Sequence, residues 1–85
     1  MDDVGSLLDS RSKTHGDFSS VAAISQRIKL ICRQNCGPGF DLAMLESLDM
    51  IATKIARILA GSPREIDHWA DIEGYARLIR ERISG

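Results

Sequence analysis

Asp67 and Asp71 stand four residues apart, a spacing that turns two carboxylates on one helix toward each other. Such a like-charge pair is unfavourable unless a cation lies between them. Lys54 is placed to be that cation. If the chain reverses at residues 61 and 62, a rise of ~1.5 Å per residue puts Lys54 about 11 Å from the turn, between Asp67 at about 8 Å and Asp71 at about 14 Å. Lys54 lies on the flank of its helix, roughly 100° from the apolar seam, while Arg57 points further outward. Tyr75 shares the flank of Asp71 and brings a phenol that can hydrogen-bond there. An ion cluster of this kind fixes a hairpin; it also presents a surface to a polar ligand or a partner.

Glu46 and Asp49 form a second acidic pair, three apart. Carboxylates at that spacing can share a divalent ion such as magnesium, provided a neighbouring helix adds another, Asp71 or Asp67. Solvated helix faces carry the same spacing, so the metal reading depends on convergence of these acids. His15-Gly16-Asp17 precedes a helical stretch, where His15, Arg11 and Lys13 can serve an anion at a helix N-terminus. The same residues also read as a turn at Gly16 and a cap at Asp17. Cys32 and Cys36 are four apart on a helix, with Cβ atoms about 6 Å from each other, too far for a relaxed disulfide. They are expected as reduced thiols of a cytosolic protein; zinc held by both with His15 and His68 is the alternative, for which the spacing is unusual. No nucleophile–His–acid set, Gly-rich phosphate loop or metalloprotease motif occurs.

The elements that position these residues are helices. Val4, Leu7 and Leu8 suggest a short helix over residues 2–10, followed by a polar loop to Gly16. Val21, Ile24, Ile28 and Ile31 recur at helical spacing over 18–35, which Gly37-Pro38-Gly39 ends. A second long helix over 41–60, capped by Asp41, carries Leu45, Leu48, Ala52, Ile55 and Leu59, widened by Met44, Ile51 and Ile58. A stripe that wide must touch two neighbours, so this helix is expected at the centre. Gly61 closes it; Ser62, Pro63 and Glu65 form a capping box for a third helix over 63–83, whose seam is Trp69, Ile72, Ala76, Ile79 and Ile83. Acids early and arginines late on that helix complement its dipole. The expected fold is all-α, an antiparallel bundle of three long helices with a short fourth at the N-terminus.

The chain has 85 residues, of which 44% are hydrophobic, 27% charged and 5% aromatic. That is one domain, residues 1–85, with 1–16 as short helix and loop and 17–85 as the bundle. Eleven basic and twelve acidic residues leave a net charge of -1, so nothing in bulk electrostatics draws it to nucleic acid or anionic lipid. No apolar run reaches the ~20 residues of a membrane span, and the acidic start Met1-Asp2-Asp3 argues against a secretory leader. The wide stripe of the central helix predicts self-association, which also helps a domain too small to bury much surface alone.

Arg11, His15-Gly16-Asp17, Lys54-x-x-Arg57 and Asp67-x-Trp69-x-Asp71-x-x-Gly74-Tyr75 together resemble a family of small phage and prophage proteins. Those proteins carry an Arg…Tyr-Gly-Asp element near the start and an Asp-x-Trp-x-Asp-x-x-Gly-Tyr element near the end; here His15 stands where Tyr is common. The resemblance spans most of the chain. It implies phage or prophage origin, a helical fold and a place in the host cytoplasm, with no established activity. A second similarity, to the all-α MazG-like nucleotide pyrophosphohydrolases, rests on Glu46-x-x-Asp49. Those enzymes pair such a motif with Glu-x-x-Glu on another helix to hold magnesium, whereas the third helix here offers Asp67-x-x-x-Asp71.

Two functions are therefore expected. The first is binding of a host or phage protein without catalysis or cofactor, as in inhibition of a defence system such as CRISPR interference. Its surface is drawn from Lys54, Arg57, Asp67, Asp71, Tyr75, His15 and Asp17, or from the outward face with Glu46 and Met50. The alternative is magnesium-dependent hydrolysis of a nucleoside triphosphate, with Glu46, Asp49 and Asp71 on the metal and Lys54 on phosphate.

Overall fold

The computed structural model describes residues 3–85, and the chain is all-α. Its helices are α1 (Asp3–His15), α2 (Phe18–Asn35), α3 (Leu42–Ala60) and α4 (Ile66–Ser84). The helix start expected at residue 2 and the side chain of Leu8 lie outside the described residues. No helix among the described residues is long and apolar enough to cross a membrane.

Local chemistry accounts for the boundaries, with two corrections to the sequence reading. α1 runs on to His15, where a loop was expected from residue 11. Arg, Ser, Lys and Thr lack an apolar period there, but a helix needs only compatible backbones, and this one stops where Gly16 adopts φ +86°. The Gly16 amide still donates to the Ser12 carbonyl at 3.0 Å, one last helical bond. The second correction is at α4, which begins at Ile66 with no capping box. The Ser62 hydroxyl accepts from the Arg64 amide at 3.2 Å, so it closes a separate turn over Pro63 and Arg64. The N-caps of α2 and α3 are as the sequence predicts, whereas α2 ends on an extended Cys36 and Gly37 takes no left-handed conformation. Asp17 accepts from the Ser20 amide at 3.2 Å, and Asp41 from the Met44 amide at 2.8 Å. The Met44 amide foremost, helped by Arg82, holds the Asp41 carboxyl below its usual range.

Cross-helix pairs set the register. Arg82 reaches Asp41 at 3.2 Å, the Ser47 hydroxyl donates to the Tyr75 carbonyl at 2.8 Å, and Lys54 meets Asp71 at 2.9 Å. As one number rises the other falls, so α3 and α4 are antiparallel and the chain does reverse after Gly61. On the other side, Arg33 pairs with Asp49 at 3.5 Å and the Ser25 hydroxyl meets that of Thr53 at 3.3 Å, which makes α2 antiparallel to α3. Thus α3 is central. α2 and α4 scarcely touch each other.

That open arrangement leaves much apolar surface uncovered. Among the described residues the buried apolar side chains are Val21, Ala52, Ala56 and Ile58. Ile31, Leu59 and Ile83, expected in seams, face solvent, as does Ala76. Trp69 is 55% exposed and His68, its neighbour, is 1% exposed, so the α4 seam is rotated by one residue at its start. The shape is long, 51 × 26 × 21 Å, with a radius of gyration of 14.9 Å. A compact chain of this length has about 12 Å.

Candidate functional site

The Lys54–Asp71 pair sits where α3 and α4 run side by side. The Lys54 side chain is mostly covered and that of Asp71 about half exposed, so the pair is a partly solvated clamp that adds at most ~1 kcal/mol. The other expected members stand apart. Asp67 lies exposed in the first turn of α4 and makes no ion pair among the described residues. Because α4 starts three residues later than predicted, Asp67 is at the helix tip, where its charge suits the dipole. Tyr75 contributes its backbone carbonyl to Ser47, and its phenol has no hydrogen bond to Asp71 among the described residues.

Beside the clamp runs a groove with apolar walls from Met50, Tyr75, Leu78 and Ile79, also lined by the charged Glu46 and Arg82. A shallower trough over Ala70, Asp71 and Gly74 continues it, sharing Tyr75 and Leu78. Leu78 is 59% exposed. An apolar trough with one acid and one base in its lining suits an amphipathic peptide or helix better than a small charged substrate.

The magnesium reading needed Glu46, Asp49 and Asp71 to converge, and they do not. Asp49 is held by Arg33 on the α2 side of α3, Asp71 by Lys54 on the α4 side, and Glu46 is exposed. No three His, Cys, Asp or Glu among the described residues could share an ion. The zinc alternative fails on distance. Cys32 and Cys36 are free thiols near the far end of α2, about 25 Å along the helix from His15. The Cys36 thiol donates to the Arg33 carbonyl at 3.4 Å.

Sequence reasoning missed a second cluster, where the α1–α2 turn is pressed against the α3–α4 turn. The Thr14 carbonyl accepts from the Ser62 amide at 3.0 Å and from His68 Nε2 at 3.1 Å. A carbonyl cannot donate, so Nε2 carries the proton. The His68 ring meets His15 edge-on, with centroids 4.7 Å apart and planes at 87°. His15 Nδ1 lies 2.6 Å from the Thr14 hydroxyl. His68 Nδ1 is buried with no hydrogen-bond partner. Asp17, which the sequence offers both as a cap and as part of a binding surface, is engaged as the cap of α2, also accepting from the Ser20 hydroxyl at 3.3 Å. The signal for this cluster was a glycine at each helix end, Gly16 and Gly61, and a histidine in register with Ile72 and Ile79.

Burial, followed by repulsion from Arg11, His68 and Arg57, pushes the His15 pKa below 6.5, against a smaller opposing effect of a backbone bond at Arg11. In the unfolded chain His15 binds its proton more readily, so its contribution to stability is full above pH 6.5 and is lost as pH falls below it. Urea midpoints should be level above neutrality and decline under about pH 6.5, and His15→Gln should flatten that decline. A wild-type midpoint that does not change between neutrality and the onset of carboxylate titration would refute the packed His15.

No known family model, curated protein or solved structure matches the chain.

Proposed function

We propose that this chain is a non-enzymatic protein-binding module of the phage or prophage accessory type, docking a host or phage protein on the α3–α4 groove. The observation that carries this reading is the groove itself: Leu78 and Met50 offer apolar contact, Glu46 and Arg82 line it with both charges, and Asp71, paired with Lys54, lines the trough that continues it. Apolar centres ringed by polar groups are how transient interfaces are built. The separation of Glu46, Asp49 and Asp71 removes the support for the hydrolase alternative. Inhibition of a host process such as a defence system is the type of task a module of this size performs by occupying a surface.

The test is affinity capture from a bacterial host lysate with the wild type, with Leu78→Glu in the groove and with Gln34→Glu on the exposed side of α2 as control. One defined partner should be retained by the wild type and the control and lost with Leu78→Glu. Absence of any partner on the wild type, or retention by Leu78→Glu, overturns the reading. So does magnesium-dependent release of pyrophosphate from nucleoside triphosphates that disappears in Glu46→Ala.

A further inference from the structure

We infer that the opposite, uncharged face of the α3–α4 pair is the interface with a second copy of this chain, two such faces meeting across a two-fold axis. Helix layers that are apolar on one side must cover that side. Here a groove between α3 and α4 is lined by Phe40, Met44, Leu48, Ile51, Ile79 and Ile83, with Ala76 and Ser47 between them, and no charged side chain lines it. Leu59 extends the row Met44, Leu48, Ile51 at helical steps and is 67% exposed, as is Ile83 at the far end of α4. So the row runs almost the length of α3. α2 and α4, lying on either side of α3 and scarcely touching, do not close over it.

The area points to a copy of the same chain. The accessible surface is 6178 Å². A compact monomer of 9.4 kDa exposes about 5,000 Å². The surplus, about 1,200 Å² over the whole chain, is spread along an elongated molecule, and it leaves room for the ~800 Å² that each partner contributes to a standard interface. A face without charge meets its own image without repulsion, and most oligomers form by such isologous pairing. A lipid surface is the poorer occupant: the chain has a net charge of -1, no Lys or Arg lines the apolar groove, and Arg77 and Arg80 beyond Ala76 share their depression with Glu73. This face shares Ser47 and Ile79 with the partner groove, but Leu78 lines only that groove and Ile83 only this one, so substitutions there test the two readings separately.

Sedimentation equilibrium from about 1 to about 100 µM tests it, a range in which an interface of this size is associated. The wild type should have twice the mass of the 9.4 kDa chain. Ile83→Glu and Leu59→Glu replace exposed side chains, so circular dichroism should show helicity kept while the dimer dissociates at least ~10-fold more readily, a change of ~1.4 kcal/mol. Leu78→Glu should leave the mass doubled even where it abolishes partner capture. A wild type that is monomeric throughout overturns the proposal, as does a dimer insensitive to both Ile83→Glu and Leu59→Glu. A monomer that instead floats with phosphatidylethanolamine–phosphatidylglycerol vesicles overturns it in favour of a membrane surface.

Discussion

Replacing Gly61 with alanine should destabilise the fold by about 3 kcal/mol and release α1 from the end of the bundle. Gly61 has φ -110° and ψ -123°, and its amide donates to the Arg57 carbonyl at 2.8 Å. Its φ is not left-handed, and what a side chain would meet here is a lack of space. A Cβ on Gly61 would strike the Thr14 carbonyl oxygen, stand 2.5 Å from the Gly16 nitrogen and 2.7 Å from the His15 carbonyl carbon. All three are backbone atoms, and none can swing aside as a side chain would. Seen from the other turn, a Cβ on Gly16 would lie 2.8 Å from Ala60 Cβ and 2.9 Å from its carbonyl carbon. The two turns are therefore in backbone contact, and separating them breaks both bonds to the Thr14 carbonyl. Thermal melts should show a drop of roughly 15 °C, since each kcal/mol shifts a domain of this size by about 4–8 °C. Limited proteolysis should cut within α1 sooner. Gly39→Ala is the control: no atom lies within 4 Å of its Cβ position, and its melting point should move little. If Gly61→Ala melts with the wild type, the turns do not touch in solution.

How much of this was legible in the sequence depended on whether one hairpin or several elements decided the outcome. The Lys54–Asp71 pair needs only a reversal near Gly61 and the helical rise, and both can be counted from the chain. The caps of α2 and α3 are local for the same reason: Asp17 and Asp41 bond amides three residues on. Asp67 lies outside the clamp because Pro63 and Arg64 form a turn of their own and α4 begins only at Ile66, which leaves Asp67 in the first turn, about one turn nearer the helix tip than Asp71. Trp69 and His68 are adjacent, so apolar periodicity favours the indole for the seam. What decides otherwise is the Thr14 carbonyl, 54 residues earlier, which draws His68 inward, and the Pro63 carbonyl, which holds the Trp69 indole N–H at 2.9 Å on the outside. The apolar seams that hold Ile31, Leu59 and Ile83 were credited to a closed bundle, and those side chains are exposed; only the extra width of the α3 stripe pointed to a second copy. Nothing in a periodicity states whether its cover is the next helix or another molecule.

The second large effect is expected at His68, where alanine should cost about 3–4 kcal/mol while phenylalanine should stay within ~1 kcal/mol of the wild type. The ring is 1% exposed and meets His15 on an edge, so alanine leaves a cavity the size of an aromatic ring beside a turn that cannot collapse onto it. Phenylalanine restores the ring. It gives up the bond from Nε2 to the Thr14 carbonyl, worth ~1 kcal/mol, but that carbonyl still accepts from the Ser62 amide. It also removes Nδ1, whose burial without a partner costs ~1–3 kcal/mol. The two changes offset, and what remains is the slightly larger phenyl ring. Urea midpoints on the three proteins at neutral pH rank them directly. Equal losses for alanine and phenylalanine would mean that the hydrogen bond to Thr14 holds the turns together and the ring volume does not. A near-neutral phenylalanine places the energy in packing, and it makes the unpaired Nδ1 a feature that stability does not account for.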